Sequence, residues 1–113
     1  MKHQVSAQQL TIYIGESDQW KGGPLYAALV ARLKESGIAG VTVLHGVEGF
    51  GSSGKLHTAR FEVLFQQMPM VVQAVDIPER ITVALAVLDE MLTEALVTVQ
   101  DVQAIRYIKD PES

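Results

Sequence analysis

The chain contains no cysteine, which excludes disulfides and thiolate metal sites. No uninterrupted apolar run approaches the ~20 residues of a membrane helix. The stretch Met1 to Gln9 lacks the apolar centre of a secretory signal, so a cytoplasmic protein is expected. Basic side chains are few. Nine Lys and Arg stand against thirteen Asp and Glu, for a formal net charge of −4 and a pI near 5.2. That balance argues against a nucleic-acid partner. Repeats, linkers and low-complexity segments are also missing. What the chain does have is apolar side chain, 48% of its residues. Residues 1–113 are expected to form a single domain with a core of its own, with 1–8 and 109–113 as flexible ends.

One stretch is unlike the rest. Gly46 to Arg60 reads G-V-E-G-F-G-S-S-G-K-L-H-T-A-R, with Gly46, Gly49, Gly51 and Gly54 followed by Lys55, His57, Thr58 and Arg60. Glycine admits positive φ and close approach of a ligand to the backbone. Successive backbone N–H groups can form an anion-binding concavity, and Lys55 and Arg60 supply charge suited to phosphate. The stretch reads either as a grip for a nucleotide or similar anion, or as a plain hairpin loop. Gly49 to Lys55 imitates the front of a P-loop, but Leu56 stands where a hydroxyl should hold magnesium. Gly49, Gly51 and Gly54 also fit G-x-G-x-x-G, which requires a helix directly afterwards. Here Arg60 to Phe65 alternates like a strand. A glycine loop between two antiparallel strands remains.

Around it, Leu10, Ile12 and Ile14 alternate with polar or amphipathic residues and predict a strand. Pro24 is expected to open a helix with Leu25, Leu29, Val30 and Leu33 as its buried stripe, and Gly37 to end it. Val41 to Leu44 predicts a second strand and Met70 to Val75 a third. Asp76 with Glu79 predicts a capping box for a second helix, whose stripe is Ile81, Leu85, Leu88 and Leu92. Leu96–Val99 and Val102–Ile108 predict a last strand or pair of strands. The order β-α-β-β-α-β is that of an α+β, ferredoxin-like sandwich: an antiparallel sheet with two helices on one face. Several strands carry apolar residues on both faces. An oligomer built on the open face follows, because soluble monomers rarely expose so large a patch.

The strand Val41–Leu44, the G-V-E-G-F-G run, the G-K-L-H-T-A-R segment and the M-P-M-V-V-Q-A-V-D strand resemble those of PII signalling proteins. The segment I-G-E-S-D-Q-W-K-G-G-P-L-Y is not typical of true PII and looks like a PII-like branch of domain-of-unknown-function proteins. The resemblance spans roughly residues 9–108. It implies a trimer with clefts between subunits that bind ATP or ADP, and by extension AMP. It also implies a protruding T-loop, here within residues 46–60, that reports occupancy to a membrane transporter, channel or enzyme. Gly49, Phe50 and Gly51 match the family's G-F-G beside the nucleotide, and Arg106 matches a phosphate-contacting arginine of the last strand. The family's G-D-G-K loop before that strand is absent, and the modifiable tyrosine is missing. Lys21, Lys55 and Arg60 are candidate replacements by position and charge.

Single residues leave alternatives. Trp20 either stacks on a base, with Lys21 beside it, or seals a subunit interface. Arg106 either holds phosphate or pairs with an acid across an interface. His3, His45 and His57 lack the spacing of a metal site. Ser17, Ser52 and Ser53 lie in no nucleophile elbow, and Glu48 and Glu62 have no evident pair. No catalytic constellation emerges, and the expectation is a regulatory protein rather than an enzyme, with no obligatory cofactor. The competing readings are a CutA-like metal-binding or purely interacting trimer, and a weak nucleotide hydrolase.

Overall fold

The computed structural model describes residues 1–49, 57–58 and 68–110. The return strand expected from Arg60 to Phe65 lies outside them. Strand β1 covers Lys2–Gly15 and is followed by a small hairpin, β2 (Gln19–Trp20) and β3 (Gly23–Pro24). Helix α1 is Leu25–Glu35, β4 is Val41–His45, and β5 (Glu48–Gly49) and β6 (His57–Thr58) form a second short pair. Strand β7 is Pro69–Asp76, helix α2 is Pro78–Met91, and β8 is Leu96–Tyr107. The four long strands make one antiparallel sheet in the order β4-β7-β1-β8. This is the ferredoxin-like α+β arrangement, with β1 and β7 central and both helices on one face.

The core lies between helices and sheet. Leu10, Ile12 and Ile14 of β1 and Met70, Val72 and Ala74 of β7 meet Leu25, Leu29 and Leu33 of α1. Helix α1 begins one residue after Pro24, which takes the cap position in extended conformation. Its end is a Schellman motif. Gly37, at φ 101°, donates to Lys34 O, and Ile38 donates to Leu33 O while its side chain enters the core.

Three expectations are corrected. The stripe of α2 is Ile81, Ala84, Leu88 and Met91, with Leu85 and Leu92 only half-buried on its flank. Asp76 closes no capping box, because the cap position is Ile77. Its buried carboxylate instead accepts the N–H groups of Ile77 at 2.8 Å and Ala39 at 2.9 Å, tying the α1–β4 turn to the start of α2. Residues 2–8 do not fray. They are paired strand, Lys2 opposite Tyr107 through Gln8 opposite Asp101, along a single unbroken β8.

The open face of the sheet is set by register. Leu44, Val71, Tyr13 and Leu96 stand in one row across all four strands, and Thr42, Gln73, Thr11 and Thr98 form the next. Leu44, Tyr13 and Leu96 are exposed. The face is therefore a band of apolar side chains beside a band of hydroxyls and amides, less uniformly apolar than the strand pattern suggested.

Candidate functional site

The glycine-rich segment leaves the sheet at the end shared by β1, β4 and β7, and its root is clamped. Gly46 N–H donates to Pro69 O at 2.7 Å, and Glu16 N–H donates to Met68 O at 2.7 Å. His45, the last residue of β4, meets the Glu16 carboxylate through Nε2 at 3.0 Å. Beyond the clamp, Glu48 pairs with Thr58 and Gly49 with His57. The segment thus departs as a short two-stranded stem within the stretch expected to be loop. Gly46 has its own reason to be glycine: a Cβ there would lie 2.6 Å from Pro69 Cγ. It serves chain packing at the root, while Gly49 sits in the stem itself.

The β1–α1 connection occupies the same end. Asp18 shapes it, accepting Gly15 N–H on its carboxylate at 2.9 Å and Leu25 N–H on its carbonyl at 2.8 Å. Its charge is thereby used in a turn. The β2–β3 hairpin turns on Lys21 and Gly22, both at positive φ (49° and 83°), as a two-residue type I′ turn requires. Trp20 is half-buried against the core. Lys21 Nζ lies 4.6 Å from its ring centre and the Arg32 guanidinium 5.8 Å, both within cation–π reach. Arg32 in turn bonds Glu90 of α2 at 2.8 Å.

The predicted site residues are therefore divided. Trp20, Lys21 and the stem residue Gly49 share one end of the sheet, with Trp20 engaged by its own chain. Phe50, Gly51, Lys55 and Arg60 lie outside the described residues. Arg106 stands at the opposite end, facing His3 across the β1–β8 ladder, exposed and without an ion pair among the described residues. From His3 to the glycine root at Gly15 is on the order of 40 Å along β1, at about 3.4 Å per residue. One small ligand can touch both Arg106 and the root of the glycine segment only if they come from different copies. The Glu16–His45 link and the Arg32 contact to Trp20 were missed from sequence. Each joins residues distant along the chain, and no local spacing announces them.

An antiparallel split β-α-β sheet, two helices on one face and a glycine-rich excursion between β4 and β7 define the class: the fold is PII-like. CPII, a nitrogen regulatory PII-like protein from Thiomonas intermedia K12 bound to ADP, AMP and bicarbonate, matches with a TM-score of 0.66. The match covers 90% of this chain and 91% of that chain at 16% identity. The GlnK–ATP complex of B. subtilis matches at 0.56 over 86% of this chain and 82% of that one, at 10% identity. At these identities the likeness is one of fold.

The chain belongs to the DUF190 family, described as Uncharacterized ACR, COG1993, which matches residues 7–104. A UPF0166 protein of Aquifex aeolicus (strain VF5) is 30% identical over 103 residues, 89% of this chain and 95% of the relative. Another from Methanocaldococcus jannaschii is 34% identical over 90 residues, 78% of this chain and 81% of the relative.

Proposed function

We propose that the protein is a PII-like regulator. It binds an adenine nucleotide, or a similar small anion, in clefts between copies of the chain and signals occupancy through residues 46–60 to a partner such as a membrane transporter or channel. The observation that carries the reading is the clamped root of the glycine segment, held by Gly46–Pro69, Glu16–Met68 and His45–Glu16 in a PII-like fold. A clamp of this kind fixes where the stem starts while leaving its glycines to meet a ligand. The fold neighbour CPII holds ADP and AMP, which supports an adenine nucleotide as the first ligand to try. Arg106, at the far end of its own chain, supplies a planar fork for phosphate to the neighbouring copy's glycine segment.

The reading calls for binding without turnover. Titration calorimetry of ATP, ADP and AMP should show saturable heat with one site per chain for at least one nucleotide, and that nucleotide should be recovered intact after incubation. Absence of heat with all three contradicts the nucleotide reading, and release of phosphate at a steady rate contradicts the regulatory one.

A further inference from the structure

One short turn is bonded to two parts of the molecule. Residues Gly15 to Asp18 close on themselves: Gly15 N–H donates to the Asp18 carboxylate at 2.9 Å, and Asp18 N–H donates to Gly15 O at 3.2 Å. On one side the turn holds the root of the glycine segment. Glu16 N–H donates to Met68 O, and the Glu16 carboxylate meets His45 Nε2. On the other side Asp18 O accepts Leu25 N–H at the start of α1. Between these two anchors hangs the β2–β3 hairpin, with the Trp20 ring beside Arg32 of α1 and, through Arg32, joined to Glu90 of α2. His45 and Trp20 are far apart along the chain, yet a single turn links them.

The tip of that hairpin is poorly matched to its conformation. Its turn residues are Lys21 and Gly22. A type I′ turn needs positive φ at both, which favours asparagine, aspartate and glycine. Lys21, at φ 49°, is the one non-glycine residue at positive φ among the described residues. A Cβ in the left-handed region crowds the following carbonyl oxygen. Against that strain stands the contact of Lys21 Nζ with the Trp20 ring, 4.6 Å from its centre. Lys21 is exposed, and a cation–π contact at an exposed site is no larger than the strain it offsets. The closed tip is therefore finely balanced against a released one. A small change at its base is enough to shift the populations.

We propose that the β2–β3 hairpin is a second reporting element, coupled through Glu16 to the root of the glycine segment. A change at the root that moves His45 pulls on the Glu16 carboxylate. The turn passes it to the hairpin, where Trp20 shifts against Arg32 and α1. The signal then emerges on the helix side of the sheet, where Arg32 joins α1 to α2. That a bound nucleotide sets off the change rests on the function proposed above. The link between His45 and the hairpin does not.

Trp20 is the only tryptophan in the sequence, so the emission of unlabelled protein reports on the hairpin. Acrylamide quenching of the ligand-free, full-length protein is compared between wild type, His45→Ala, Glu16→Ala and the double variant. Thr42→Ala, exposed on the same strand as His45, is the control. Each single variant at the link should raise the quenching constant, on the order of twofold for the loss of one exposed pair. The double variant should match Glu16→Ala alone, because both changes remove one link. An unchanged constant in His45→Ala, or effects that add in the double variant, overturns the proposal. In wild type, ATP, ADP and AMP are titrated with heat and emission recorded together. A nucleotide that gives heat should change Trp20 emission with the same midpoint. Heat without a change in emission overturns the relay and leaves nucleotide binding in place. No heat with any of the three overturns the ligand reading, and the quenching comparison alone then decides the relay.

Discussion

Gly46 is the residue on which the geometry of the glycine segment turns. Its amide bonds Pro69 O, and the space a Cβ would need is taken by the Pro69 ring, which has few ways to move. Gly46→Ala should therefore cost about 1–3 kcal/mol, the range for forced overpacking. Gly40→Ala is the matched control, because nothing lies within 4 Å of a Cβ there. Chemical denaturation should show a lower midpoint for the first variant and little change for the second. Equal midpoints would show that the root yields without strain. Sequence reading placed Gly46 among the ligand-facing glycines, since a glycine needed for packing and one needed for binding look alike in one dimension. Asp76 teaches the same lesson. An acid before a proline-started helix reads as a cap, yet its carboxylate reaches sideways to Ala39, a contact across 37 positions that no local window contains.

At the scale of elements, what could be read was what depends on periodicity. Leu10, Ile12 and Ile14 alternate and are buried, and Leu25, Leu29 and Leu33 recur at helical spacing and are buried. In α2 the leucine spacing does not mark the buried stripe. Ala84 and Met91 face the core, while Leu85 and Leu92 lie on the flank of the helix toward β8, beside Val97. The amino-terminal residues defeated the reading for another reason. Lys2 to Gln8 is mostly polar, and apart from Ala7 its structure is fixed by backbone pairing with β8 rather than by burial of its side chains. Hydrogen exchange probes this paired stretch. If assembly with other copies stabilises it, amides of residues 3–6 and 103–106 should be protected at high protein concentration. They should then exchange faster on dilution, while those of Leu10 to Ile14 stay protected. Concentration-independent exchange would show that the stretch stands alone.

For the whole molecule, the distribution of features over two ends of one sheet matters most. The glycine stem, the Glu16–His45 link and the Trp20 hairpin gather where β1 ends and β4 and β7 meet, and Arg106 lies at the far end. The open face runs from one end to the other, with its row of Leu44, Val71, Tyr13 and Leu96 beside the glycine end. Among the described residues no helix is long and apolar enough to cross a membrane. A contiguous apolar band of this kind marks an interaction surface, and copies of the chain are the simplest cover. A ligand site shared between copies is the central claim, and subunit mixing tests it most directly. Gly51→Val disables the glycine half of a site and Arg106→Ala the arginine half. Each variant alone should form trimers, three times the 12.3 kDa chain mass by light scattering, and bind no nucleotide that the wild type binds. Co-refolded in equal amounts, they should recover roughly a quarter of the wild-type sites, as random assembly of a heterologous ring gives intact pairs at that frequency. No recovery in verified mixed trimers, or full affinity in either variant alone, would contradict the account.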